Sequence, residues 1–319
     1  MSNNDLDDIF QEDWSEDHRS GVIAVVGRPN VGKSTLINRI LGQKIAIVTD
    51  KPQTTRKQQL GIYTEEKGQI LFIDTPGLHK PHHKLGEFMV EAAEHAIKDA
   101  DLILWVLDAS MPLQEGDKHI AETLERLHGE NPVVLALNKS DVVTPNLDDN
   151  AHLALINHIN APHVSGLQGT GVPELTQYLL EQLPHGPRYY PADQVSEVNM
   201  RFIAAEVIRE KIILNTEQEV PHAVAIEIDE YKERADGVVY ISAIIHVERD
   251  SQKGIIIGKS GEMIKTLGSE ARAELESMLE TRVFLDLHVK LLKNWRSDPD
   301  LMKRLGYRQP RSEKRTDGR

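Results

Sequence analysis

The 319-residue sequence contains no cysteine. Disulfides, thiolate metal sites and cysteine nucleophiles are therefore excluded, and the absence fits a reducing compartment. It also lacks any apolar run near the roughly 18 residues that a membrane span needs. Residues 1–20 carry seven acids and one arginine, where a signal peptide would show basic residues and then an apolar stretch, so the cytosol is the expected location. Positive charge is scarce: the net charge is −13, which argues against general affinity for nucleic acid. The shortage is uneven. Residues 251–319 hold fifteen Lys or Arg against ten Asp or Glu, an excess of +5 that leaves −18 for the first 250 residues. Such segregation points to a polyanion-facing domain at the C-terminus.

What is present centres on Gly27-Arg28-Pro29-Asn30-Val31-Gly32-Lys33-Ser34, which matches the P-loop pattern G-x-x-x-x-G-K-[ST]. The apolar residues 22–26 before it read as a buried strand, and Thr35 opens a segment with helical spacing. Strand, glycine loop and helix are the context the motif requires. Glycines let backbone N–H groups approach an anion, the helix N-terminus adds partial positive charge, and Lys33 supplies a full one. Ser34 is placed to hold a magnesium ion.

The length predicts two domains, each able to bury a core. Short apolar runs at 22–26, 70–73, 102–107, 133–137 and 163–164 alternate with helical patterns at 84–98, 115–127, 147–159 and 173–183. This alternation predicts an α/β domain over residues 21–184, with a mainly parallel sheet and helices on both faces. Ligands bind such sheets at the carboxyl ends of the strands, so informative residues should follow the strands.

They do. After the second run comes Asp74-Thr75-Pro76-Gly77: the aspartate suits a magnesium ion held through water, and the glycine offers an N–H beside a terminal phosphate. After the fourth comes Asn138-Lys139-Ser140-Asp141. Asp141 can accept two hydrogen bonds from the N1–H and exocyclic amine of guanine, a pattern adenine cannot satisfy, which selects GTP over ATP. Asn138 is expected to brace the loop and Lys139 to pack over the base. Between these motifs lies Pro52-Gln53-Thr54-Thr55-Arg56, where Thr54 or Thr55 could reach the metal when the terminal phosphate is present and let go after hydrolysis. Thr55 is the preferred ligand.

A Pro-rich segment at 184–191 reads as an interdomain linker, assigned to residues 185–199. Beyond it, helical spacing at 200–214 and 262–279 and strand alternation at 223–229, 238–247 and 281–291 predict an α+β unit over residues 200–307. Gly258-Lys259-Ser260-Gly261 is a G-x-x-G loop, preceded by Ile255-Ile256-Ile257 and followed by a helix. This is the arrangement with which KH domains clamp single-stranded nucleic acid. Lys253, Lys259 and Lys265 supply charge, and the three isoleucines are expected to form a floor beneath bases. Residues 1–20 are expected to be a disordered acidic arm, and 308–319 a basic tail.

Together the motifs of residues 27–34, 54–55, 74–77 and 138–141 resemble the Era-like translation-factor GTPases, and the second unit is similar to a type II KH domain. Arg209-Glu210-Lys211, Val247-Glu248-Arg249 and Leu305-Gly306-Tyr307 extend the resemblance to that branch of the family in which a KH domain follows the GTPase domain. It implies hydrolysis of GTP to GDP with Mg2+, binding near the 3′ end of 16S ribosomal RNA, assistance to 30S subunit assembly, and a monomer. Two residues depart from common GTPase patterns. Leu78 stands where a water-orienting glutamine follows the glycine in Ras-type proteins, so unassisted hydrolysis is expected to be slow and no catalytic side chain is assigned. The base-contacting Ser-Ala becomes Ser165-Gly166. Asn30 matches the position that holds K+ in some relatives, which implies potassium stimulation. A plain RNA-binding scaffold with a slowly hydrolysed structural nucleotide is the alternative. Weak peripheral attachment to the inner membrane through basic surface stays open beside a cytoplasmic location.

Overall fold

The computed structural model describes residues 17–46, 55–78, 84–142, 149–192, 194–196 and 199–307. Thr54, most of the acidic arm and the basic tail lie outside them. The first unit runs β1 (Arg19–Val26), α1 (Lys33–Leu41), β2 (Gln59–Glu65), β3 (Gly68–Asp74), α2 (Lys84–Asp99), β4 (Leu102–Asp108), α3 (Glu115–Leu127), β5 (Val133–Asn138), α4 (Asn150–Leu153) and α5 (Val172–Gln182). Its sheet has the order β2-β3-β1-β4-β5, parallel except for β2. β4 shows why both faces are covered. Leu102, Leu104 and Val106 join a core with α1 and α5, while Ile103, Trp105 and Leu107 join another with α2 and α3.

Three sequence expectations change. β1 begins at Arg19, so the last residues of the supposed arm are strand, and His18 and Ser20 are buried. The helix expected over 147–159 is reduced to α4. Residues 159–164 instead hydrogen-bond along β5 (Ile159 N to Val133 O, Leu135 N to Asn160 O, Val164 N to Leu137 O, each 2.9 Å). Pro162 has no N–H to give, so this sixth strand stays a pair of isolated bridges. The linker is strapped down. Buried Gln69 accepts the N–H groups of Tyr189 and Tyr190 at 2.8 and 3.0 Å, and Val195 O accepts from Ile62 N at 2.7 Å, which covers the β2 edge.

The second unit runs α6 (Met200–Asn215), α7 (Val220–Ala223), β6 (Ala225–Glu233), β7 (Val239–Val247), α8 (Asp250–Ile257), a 3-10 turn (Lys259–Gly261), α9 (Glu262–Leu279), β8 (Val283–Leu291) and α10 (Pro299–Arg304). Its sheet is β6-β7-β8, antiparallel then parallel. Val239, Ile241, Ala243, Ile245 and Val247 of central β7 face α6, α8 and α9 in one core.

Candidate functional site

The P-loop leaves β1 at the point where its neighbours β3 and β4 diverge, and its last two residues, Lys33 and Ser34, open α1. Gly32 has φ 96, and a Cβ there would lie 2.3 Å from the Asn138 side-chain nitrogen, so only glycine lets the loop pass under that side chain. Lys33 is buried and donates to Gly27 O at 3.0 Å and Arg28 O at 2.9 Å. Burial pushes its ammonium down to about 8, against the pull of Asp74. Nucleotide phosphates would supply the missing negative charge.

Ser34, Thr55 and Asp74 arrive from three separate elements and meet. The Ser34 hydroxyl donates to Asp74 Oδ2 at 2.8 Å, Thr55 Oγ1 donates to the same oxygen at 3.3 Å, and the two hydroxyls are 3.2 Å apart. Asp74 Oδ1 is buried without a hydrogen-bond partner. Burial raises the Asp74 carboxyl above its usual range, although Lys33 and the two hydroxyls oppose this. A hard cation fits here, because it would take the orphan oxygen directly or through water. Among the described residues no group of three His, Asp or Glu could hold a metal, so water or phosphate oxygens would have to complete the shell around two hydroxyls and one carboxylate.

The loops after β3 and β5 hold the opposite walls. Thr75 is wholly buried and donates to Val25 O at 2.7 Å, and Gly77 abuts Pro29, 3.1 Å from where a Cβ would stand. Leu78 packs into the core with Ala93, Ile97 and Trp105, so its side chain is turned away from any attacking water. Asn138 is the brace the sequence predicts: it donates to Val31 O at 2.8 Å and accepts from Gly166 N at 2.9 Å, tying two loops together. Lys139 pairs with Asp108 at 2.7 Å. Burial alone would raise the Asp108 carboxyl, but hydrogen bonds from Lys139 and Ser110 hold it below its usual range. Asp141 is half-buried at the rim. Thr35 and Gly166 line a groove of about 340 Å³ beside α1, together with Asn38 and Leu167.

The side chains of several predicted ligands are held within the protein, so contacts from these residues to a nucleotide would come from their backbone. The Arg28 side chain is drawn away to buried Asp117 at 2.7 Å, and Val31 is core. Ser165 is wholly buried and its hydroxyl accepts the Gln168 N–H at 2.9 Å, so its side chain shapes the loop. Asn30 is exposed with φ 65.

In the second unit the G-x-x-G joins α8 to α9. Gly258 has φ 75, and a Cβ there would come within 2.7 Å of Met263 N. Lys259, Ser260 and Lys265 are exposed and Lys253 is half-buried. The isoleucine floor needs correction. The run is the last turn of a helix, whose 3.6-residue period sends Ile256 into the core at 0% exposure while Ile255 stays 46% exposed and Ile257 lies between. The surface beside the loop is instead a groove of about 410 Å³ between α9 and β8, lined by Ile264, Lys265, Gly268, Arg272, Phe284 and Leu287 among others. Sequence reading missed most of these. The β8 alternation was the signal available, because it puts Leu285 and Leu287 on the helix side.

The two units also touch each other. Arg56, directly after Thr55, is 3% exposed and donates to Val224 O, Pro221 O and His222 O at 2.7, 2.9 and 3.2 Å. Its guanidinium lies 6.0 Å from the centre of the buried Trp295 ring. Lys57 donates to Leu305 O at 3.0 Å and lies 4.7 Å from the Tyr307 ring centre. On the other side of the 47–54 segment, Lys44 reaches Glu210 of α6 at 2.7 Å and Glu274 of α9 at 2.5 Å. Leu85 and Met89 of α2 share a core with Trp295, Met302, Leu305 and Tyr307.

A P-loop NTPase domain with an Asn-Lys-Ser-Asp loop after β5, fused to a KH domain, is the class that fold and site define. The pattern of the family described as 50S ribosome-binding GTPase matches residues 22–139, and that of the KH domain matches residues 219–296. The chain is 49% identical over 282 residues to GTPase Era of Thermotoga petrophila, which covers 87% of this chain and 93% of the relative. It is 45% identical over 294 residues to GTPase Era of Carboxydothermus hydrogenoformans, covering 91% and 98%. Two solved structures share 36% identity and cover 91% of this chain and 99% of theirs. One is an Aquifex aeolicus Era variant bound to GDP and aluminium fluoride, with a TM-score of 0.84. The other is Era in complex with MgGDPNP and nucleotides 1506–1542 of 16S ribosomal RNA, with a TM-score of 0.85. The chain belongs to the Era GTPase family, and GTP hydrolysis is its activity. Among the described residues, no helix is long and apolar enough to cross a membrane.

Proposed function

We propose that the chain is a GTP-operated switch on ribosomal RNA. With GTP and Mg2+ bound it holds the 3′ region of 16S rRNA in the KH groove and assists small-subunit assembly, and after hydrolysis it lets go. The observation that carries this is the run Thr55-Arg56-Lys57. Thr55 sits at the cation site, and the next two residues are fastened to the KH unit. A change at the terminal phosphate that moves Thr55 must therefore strain or release Arg56 and Lys57. Lys44 fixes the other flank of the same segment.

In this reading Ser34 and Thr55 hydroxyls and Asp74 hold Mg2+, Lys33 meets the terminal phosphates, Asp141 reads guanine, and Lys253, Lys259 and Lys265 meet RNA phosphates. Support for the ligands comes from the Era complex with MgGDPNP and 16S nucleotides. Linkage requires RNA to change GTP affinity by the factor with which GTP changes RNA affinity. Dissociation constants for a 16S fragment should be lower with a non-hydrolysable GTP analogue than with GDP, and identical values would remove equilibrium coupling.

Leu78 packs in the core, so the residue directly after Gly77 does not orient water with its side chain. Slow unassisted turnover follows, and a monovalent cation at Asn30 would supply charge where the loop lacks it. Turnover should rise several-fold when K+ replaces Na+, and Asn30→Ala should erase the difference. Equal wild-type rates in the two salts would sink the potassium assignment.

A further inference from the structure

Beyond the G-x-x-G, the KH unit presents two stacked aromatic rings to solvent. Tyr240 of β7 and Phe284 of β8 are register partners, with ring centres 5.7 Å apart and an interplanar angle of 23°. Arg234 lies over both, 4.7 Å from the Tyr240 centre and 5.4 Å from the Phe284 centre. Val239, Ile241 and Val283 point into the helix-covered core, so the alternation turns Tyr240 and Phe284 to the open face of the sheet. Phe284 is 53% exposed.

The cross-strand pair contributes only about 0.2–1 kcal/mol to the sheet, and a half-exposed phenyl ring forgoes much of its burial energy, which leaves its face open to a ligand. β8 is an edge strand, and Phe284 also lines the groove with Lys265 and Arg272. The rings thus continue the groove over the sheet edge. Two rings and a guanidinium are too small a patch for a protein partner, which needs a larger contiguous apolar surface. They match the π face of one nucleobase, which stacks on aromatic and guanidinium planes whatever its identity.

We propose that Phe284, Tyr240 and Arg234 form a stacking seat for one unpaired base of the RNA in the KH groove, where the strand leaves over the β8 edge. The seat rests on the RNA-binding reading of that groove and adds an occupant beyond it. The test uses the full chain with an RNA corresponding to nucleotides 1506–1542 of 16S rRNA, 2-aminopurine being placed at successive unpaired positions. The wild type should quench one position strongly. Phe284→Leu, which keeps an apolar side chain on the strand, should restore that fluorescence and weaken binding about five- to a hundredfold, with RNA-free GTP hydrolysis unchanged. Arg234→Ala should do the same more weakly. Lys259→Glu tells the two failures apart. Full affinity in that variant would remove RNA from the groove and the seat with it. Weakened binding by Lys259→Glu, with wild-type affinity and quenching for Phe284→Leu and Arg234→Ala, would overturn the seat alone.

Discussion

Replacing Asp141 with asparagine is expected to exchange guanine for xanthine as the preferred base. The carboxylate offers two acceptors to the N1–H and exocyclic amine of guanine. Asparagine keeps one acceptor and puts an N–H₂ where the second was, which opposes the guanine amine donor to donor but matches the C2 carbonyl of xanthine. A site that loses a paired polar contact and leaves the groups unsatisfied discriminates by about 10⁴ to 10⁵. The fold should survive, since Asp141 is half-buried and holds no core element. Equilibrium titration with labelled GDP and XDP checks this. Unchanged GDP affinity would place base recognition elsewhere.

The second large effect concerns Lys33 and runs in opposite directions for binding and stability. Lys33→Met should abolish measurable nucleotide binding, because it removes the full charge at the P-loop. The same change should leave the nucleotide-free protein as stable or more stable near pH 7. Burial lowers the ammonium from 10.5 to about 8, so holding it charged costs on the order of 3 kcal/mol. The sign follows from proton counts. Between pH 8 and 10.5 the unfolded chain binds more protons at this residue than the folded one, so wild-type stability should rise with pH there, and below 8 the cost is constant. Nucleotide-free melts at pH 7, 8, 9 and 10 should show that slope in the wild type and a weaker one in Lys33→Met.

The G-domain was readable because each motif follows a strand end, where parallel α/β sheets place ligands. Asn138 could be assigned as a brace for the same reason. What escaped depended on tertiary competition. The 147–159 pattern has apolar spacing for a helix, yet β5 offers unpaired backbone groups that residues 159–164 satisfy. β2 escaped because Leu60, Ile62 and Tyr63 flank a glycine, and Gly61 is there to let Leu41 and Ile45 of the α1 side come close. Ile255, Ile256 and Ile257 looked interchangeable in sequence, and only the helical phase separates core from surface. Ser165 and Arg28 kept their places in the loops while internal partners took their side chains. The interface was the least legible part. Nothing in Arg56 or Lys57 as residue types points to Trp295 and Tyr307, although Glu210 and Tyr307 stood out by resemblance and both lie at that contact.

The central claim, that nucleotide state reaches the KH domain through the residues after Thr55, is tested most directly with Arg56→Ala. The quantity is the ratio of 16S-fragment dissociation constants in GDP and in a non-hydrolysable GTP analogue, measured for wild type and variant at one salt concentration. The wild-type ratio should exceed one, typically by a factor of about 5 to 150. In Arg56→Ala it should fall close to one while Mg2+–GTP affinity stays within about threefold of wild type. A variant that keeps the full wild-type ratio would contradict the account.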